Sequence, residues 1–116
     1  MESCDSILVS IKKMLGMTEE YTVFDPDIIM HINTVFGTLR QLGVGPADGF
    51  AIESKDVVWT DFIRDDDLVK FNAVKTYVYL KVRLIFDPPL SGTLVEVINK
   101  SINELEWRLN VEAEND

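Results

Sequence analysis

Apolar residues recur every three or four positions from the start of the chain. Ile7, Leu8, Ile11, Met14 and Leu15 fall at i, i+1, i+4, i+7 and i+8, one face of an α-helix, and Gly16 supplies a stop. Ser6, Ser10, Lys12 and Lys13 make up its polar side. A helix of about 12 residues is marginal in isolation, so this one needs a neighbour to pack on. The second element has the clearest punctuation. Asp25 is placed to cap it, Pro26 to occupy its first position and Asp27 to meet the positive end of its dipole, with Gly43 beyond its end. Between these, Ile28, Ile29, Ile32, Val35, Phe36, Leu39 and Leu42 keep one helical stripe, which predicts a helix over 26–42.

Val44 to Asp56 loses this periodicity. Gly45-Pro46 and Asp48-Gly49 are turn signals, while Phe50 and Ile52 are anchors that lead the chain back to the core. Val57 to Ile63 reads as a brief strand or as one or two helical turns capped by Asp56. The helix fits better, because it puts Trp59, Phe62 and Ile63 on one side. Asp65, Asp66 and Asp67 then stand where a helix N-terminus welcomes acids, and Leu68 to Phe86 is apolar around most of its circumference. Val69, Phe71, Ala73, Val74, Tyr77, Val78, Leu80, Val82, Leu84 and Ile85 are too many for one stripe, which predicts a central helix packed on two or more sides. Lys70, Lys75, Lys81 and Arg83 snorkel along its edges.

Asp87-Pro88-Pro89 ends that helix, since proline neither continues the ladder nor tolerates a helical residue before it. Ser91 caps the last helix, whose stripe of Leu94, Val95, Ile98, Ile102, Leu105 and Leu109 runs to about Leu109 or Asn110, leaving 111–116 as a short acidic tail. No internal repeat or linker divides the chain. The expected fold is all-α: one domain over 1–116, a single bundle of four main helices with room for a fifth, short one.

Composition narrows the function more by exclusion than by assignment. The 116 residues carry 20 carboxylates against 11 Lys and Arg, a net charge of −9, and 47% are hydrophobic, enough for a core. No run reaches the roughly 20 apolar residues of a membrane span, so no membrane partner is expected. The start, Met1-Glu2-Ser3-Cys4-Asp5, lacks the cations of a secretory signal, and Cys4 is the single cysteine, which leaves no intrachain disulfide and fits a reducing, cytosolic setting. Such acidity argues against ordinary nucleic-acid binding, which depends on Lys and Arg neutralising phosphates. It does suit a wall past which DNA slides without sticking.

The candidate chemistry is sparse. His31, the only histidine, sits off the main apolar stripe with no Ser, Cys or second His at helical spacing, so it reads as a surface or boundary residue. Cys4 has no accompanying base. Asp61 with Asp65–Asp67 lacks the alternation, glycine and terminal glutamate of a calcium loop, and is better read as helix-start acids or a partner-facing patch. Gly43-Val44-Gly45-Pro46 has no Lys-Ser/Thr after it and is a helix exit, not a phosphate cradle. Tyr77, Tyr79 and Trp107 lack a surrounding basic stripe and read as core or interface, and Glu104 and Glu106 fall on different helix faces. No catalytic residue, metal ligand or cofactor is expected, and the protein reads as a non-enzyme.

Taken together, Asp25-Pro-Asp-Ile-Ile-Met-His-Ile-Asn-Thr-Val-Phe, the exit Gln41-Leu-Gly-Val-Gly-Pro, Trp59-Thr-Asp-Phe, the block from Ala73 to Pro89 and Glu106-Trp-Arg-Leu-Asn resemble the head–tail connector, or adaptor, proteins of tailed bacteriophages and prophages, over roughly residues 5–112. That resemblance implies an all-helical structural subunit forming a ring of about a dozen copies under the portal. It further implies contacts to the portal and to tail-side completion proteins, DNA passing through the lumen without sequence-specific binding, and a place in the bacterial cytoplasm during assembly and at the head–tail junction of the virion. A closed ring needs a heterologous interface, and Tyr79, Val82, Phe86 and Trp107 are the candidate subunit contacts, unless they complete the monomer core instead. Partner docking is expected on the Val44–Asp56 segment and the C-terminal tail. The alternatives are a phage tail-completion protein or assembly chaperone, and a small cytosolic helical protein-binding regulator.

Overall fold

The computed structural model describes residues 6–63 and 68–114, so Cys4, Asp65, Asp66 and Asp67 lie outside the described residues. Five helices follow one another, α1 (Ile7–Met14), α2 (Asp25–Gln41), α3 (Trp59–Phe62), α4 (Leu68–Phe86) and α5 (Gly92–Glu114), and no strand forms among the described residues. An isolated antiparallel bridge between Ser6 and Val58, closed by Ile7 N–H donating to Val57 O at 3.1 Å, joins the start of α1 to the start of α3. The four longer helices are those predicted, and the short helix is α3.

As expected, α4 is the central helix. It packs against α1, α2 and α5, and buries Val74, Tyr77, Val78 and Val82 completely. Ile7, Leu8 and Ile11 of α1, the Ile28–Ile32–Val35–Phe36–Leu39 stripe of α2, Trp59 and Phe62 of α3 and Ile98, Ile102 and Leu109 of α5 complete one apolar cluster. The radius of gyration, 13.8 Å, is close to the roughly 13 Å expected of a compact chain of this length. Phe36, Phe50 and Phe62 pack as a triangle of rings, with centroids 4.6 to 5.2 Å apart, so the Phe50 anchor operates as predicted.

The loop from Val44 to Val57 has no helix or strand of its own, yet its course is fixed. Asn33 on α2 gives and takes one hydrogen bond with the Ile52 backbone: its Nδ2 donates to Ile52 O at 3.0 Å and its Oδ1 accepts from Ile52 N at 2.7 Å. The side-chain amide thereby supplies the paired donor and acceptor that a neighbouring strand would otherwise provide. Arg40 Nε, donating to Ala47 O at 2.9 Å, holds the loop tip.

Five expectations need correction. The polar side of α1 is largely buried: Ser6, Ser10 and Lys12 are enclosed and only Lys13 faces out. Ser10 Oγ donates to Ile7 O at 3.0 Å and accepts from the indole Nε1 of Trp59 at 2.8 Å. Lys12 Nζ donates to Glu19 O and Tyr21 O, at 3.1 and 2.7 Å, and pairs with Asp25 Oδ1 at 2.9 Å. Asp25 is consequently not the cap of α2. Phe24 holds that position without a side-chain bond, Asp25 and Pro26 form the first turn, and the carboxylate is turned to Lys12.

The other three corrections concern α3 and the ends of α4 and α5. The cap position of α3 is Val58 rather than Asp56, and Asp61 reaches back so that its Oδ2 accepts from Val58 N at 3.2 Å. In α4, Val69 and Ile85 are exposed rather than part of the core. In α5 the helix runs through Glu114, so residues 111–114 of the predicted tail are helical. Asn110 Nδ2 donates to Leu42 O at 3.3 Å, capping the end of α2, and a Cβ at Gly43 would stand 3.0 Å from that of Ala113. The extra turn is therefore held by the exit of α2.

Candidate interaction surfaces

Helices α4 and α5 form an antiparallel hairpin joined by Asp87–Ser91, and most of the uncovered apolar surface is found along it. Ser91 caps α5 as predicted, its Oγ accepting from Leu94 N at 3.3 Å. At mid-hairpin Tyr77 Oη donates to Glu106 Oε2 at 2.7 Å across the two helices, while Lys81 Nζ lies 5.9 Å from the centre of the Tyr77 ring. Burial, then the hydrogen bond to Glu106 and its negative charge, push the Tyr77 phenol well above its ordinary ionisation range.

A raised folded-state pKa stabilises the fold at any pH below the unfolded value of about 10, and that contribution fades as pH climbs beyond it. Urea unfolding of Tyr77→Phe at pH 7 is expected to show a loss of about 1 kcal/mol. The gap to the parent should narrow above about pH 10; a gap constant with pH would show that the phenolic proton has no part in stability.

At one end of the hairpin a groove of about 350 Å³ opens between the first turns of α4 and the last turns of α5. Val69 and Ala73 line it from α4, with Trp107, Leu109 and Val111 from α5, and Lys70, Arg108 and Glu112 are its charged residues. Leu109 is buried beneath it, whereas Val69 and Trp107 are 78% and 67% exposed. The helical stripe explains Trp107: Ile98, Ile102, Leu105 and Leu109 share the inward face, and a residue two positions from both Leu105 and Leu109 is carried to the other side. Arg108 Nη2 also pairs with Glu104 one turn back, at 2.6 Å.

The opposite end carries a second apolar group, Ile85, Leu90 and Leu94, with Leu90 wholly exposed. Nearby, Phe24 packs edge-on against Phe86, 5.4 Å between centroids, and Tyr21 lies 5.9 Å from Phe24. Lys12 underpins this corner, because the carbonyls it holds belong to the loop carrying Tyr21 and Phe24.

The four predicted contact residues do not form one patch. Val82 is fully buried in the core of the single chain. Phe86 is half-buried against Phe24, and Tyr79, also half-buried, accepts from Arg83 Nη1 at 3.2 Å. Trp107 alone stands largely in solvent, beside a Val69 that the sequence pattern assigned to the core. His31 is half-buried on α2, as a boundary residue should be.

Among the described residues no group of three His, Cys, Asp or Glu is arranged to hold a metal, and no helix is long and apolar enough to cross a membrane. No curated protein and no solved structure is significantly similar to the chain. The family model for phage connector proteins fits residues 7–116, from the first residue of α1 through all of α5, and the chain belongs to that family.

Proposed function

We propose that this connector works as a head–tail adaptor, a ring-forming subunit beneath the portal that bridges capsid and tail and lets DNA through. Membership of the phage connector family gives the chain its structural role in the virion. The groove around Trp107 and Val69 carries the finer reading: apolar side chains of this size, left 67% and 78% exposed at one end of a small chain, mark a surface covered by another protein. A net charge of −9 adds that duplex DNA in the lumen is repelled rather than held. In this reading the subunit assembles in the bacterial cytoplasm and ends at the head–tail junction, with the portal and tail-side completion proteins as neighbours. The role calls for positioning and for no reaction.

The test is the mass in solution by light scattering, for the protein alone and mixed with the portal encoded in the same gene cluster. A ring-sized species, or co-migration with the portal, is the expected result. Trp107→Asp should abolish it while leaving the circular dichroism and melting temperature unchanged, since so exposed a side chain adds little to the fold. A 13.2 kDa monomer indifferent to the portal would overturn the reading.

A further inference from the structure

Three aromatic rings meet where the α1–α2 loop reaches the tip of the α4–α5 hairpin. Tyr21 packs on Phe24 and Phe24 on Phe86, with centroids 5.9 and 5.4 Å apart. Ile85, Leu90 and Leu94 stand uncovered on the hairpin side and Val23 on the loop side. The surface is preformed. Lys12 grips the loop through the carbonyls of Glu19 and Tyr21, and Pro88 and Pro89 limit the turn before Leu90, so little entropy is lost when a partner covers it.

Each ring has an exposed carboxylate beside it: Glu20 adjoins Tyr21, Asp27 lies one turn on from Phe24, and Asp87 follows Phe86. Among the described residues, none of these three acids makes an ion pair or a side-chain hydrogen bond. The nearby cations do not neutralise them. Lys12 is held by Asp25, Lys13 stands in solvent, and Arg83, one turn before Asp87, donates to Tyr79 Oη. Asp87 also stands at the carboxyl end of α4, its N–H donating to Arg83 O at 2.8 Å, where the helix dipole favours a cation and opposes an acid. Unpaired negative charge around aromatic rings fits a guanidinium, which pairs with carboxylates and stacks on ring faces. A chain with 20 acids and 11 Lys and Arg has few cations to offer a second copy of itself, so the fit is to a different, basic protein.

We propose that the corner formed by Tyr21, Phe24, Phe86 and Leu90 docks an arginine-bearing apolar segment of another protein, with Glu20, Asp27 and Asp87 receiving its cations. This surface is distinct from the Val69–Trp107 groove, and the proposal does not rest on the ring reading.

The probe is a fluorescent synthetic peptide whose leucine face is bordered by arginines, its binding to the full chain followed by anisotropy. Saturable binding that weakens with salt is the expected result. Replacing the leucines of the peptide by serine, or its arginines by glutamate, should abolish it. Glu20→Gln combined with Asp87→Asn should weaken binding by about tenfold, and Leu90→Ala by a similar factor, with circular dichroism unchanged. Glu112→Gln combined with Glu114→Gln makes the same change in net charge at the other end of the hairpin, and should leave the affinity as it is.

Equal losses from the two double variants would mean attraction by net charge alone and would overturn the proposal. So would a serine peptide that binds as well as the leucine one, or no saturable binding at all. Light scattering closes the remaining route: if Leu90→Asp converts a self-assembled species to monomer, the corner is covered by a second copy and the proposal falls.

Discussion

Lys12→Met is expected to cost about 3 kcal/mol and to lower the melting temperature by roughly 10 °C or more. The lysine stem is enclosed by α1 and the α1–α2 loop, with its side chain 1% exposed, and methionine fills much of the same space. What disappears is the ammonium group, which donates to the carbonyls of Glu19 and Tyr21 and faces Asp25 Oδ1 at 2.9 Å. That oxygen is buried and makes no well-aligned hydrogen bond, so charge is what compensates its burial. Removing one member of such a pair strands the other, which is why breaking it costs more than the pair contributes. Thermal unfolding checks the size of the loss. The mechanism is checked by Lys12→Met combined with Asp25→Asn, which should recover part of it because the stranded charge has gone too. A double variant no better than the single one would place the whole effect in the two loop carbonyls.

Gly45→Ala should be the most damaging single-methyl change, at about 2–4 kcal/mol. Gly45 has φ +90°, a region where a side chain costs about 1–2 kcal/mol. A Cβ there would also stand 2.7 Å from Cζ and 3.3 Å from Cδ1 of Phe62. That ring has little room to retreat, packed in a triangle with Phe36 and Phe50 and 4% exposed, so the clash adds the 1–3 kcal/mol typical of an overpacked core. Gly16 is the internal control: it has nearly the same φ, +87°, with nothing within 4 Å of the added carbon. Gly16→Ala should show only the backbone strain, and urea unfolding of both variants isolates the steric part as their difference. Equal losses would mean that the Phe62 ring moves freely.

These two residues also mark what the sequence reveals and what it hides. The helices, their order and most of the core were legible because helical periodicity is local: seven apolar residues at the right spacing announce α2 without knowledge of its neighbours. Lys12 was misread for the same reason. A lysine between apolar positions scores as polar surface, and nothing nearby shows that backbone carbonyls seven and nine residues on will close over it. The indole of Trp59, 49 residues from Ser10, is equally invisible to a local pattern.

The end of α5 was missed because Ala113, four residues beyond Leu109, continues the stripe with a side chain too small to stand out among acids. Of the exposed apolar surface, Trp107 was legible as an aromatic off its helix's stripe. Val69 was not, since a valine on a helix apolar all round gives no sign of which of its apolar residues is left uncovered.

The Asn33 amide has a consequence of its own. By docking Ile52 at one point, it divides the loop into two exposed spans, around Ala47–Asp48, tied to Arg40, and around Glu53–Asp56, where Lys55 pairs with Glu19 at 3.6 Å. A longer span hung on a fixed point costs little, since each doubling of loop length adds only about 0.6 kcal/mol of closure entropy. Peptide tags or fluorophores grafted at these spans would therefore sit outside the helical scaffold. One side chain thus makes the loop a handle by which the subunit can be marked while its packing is left alone.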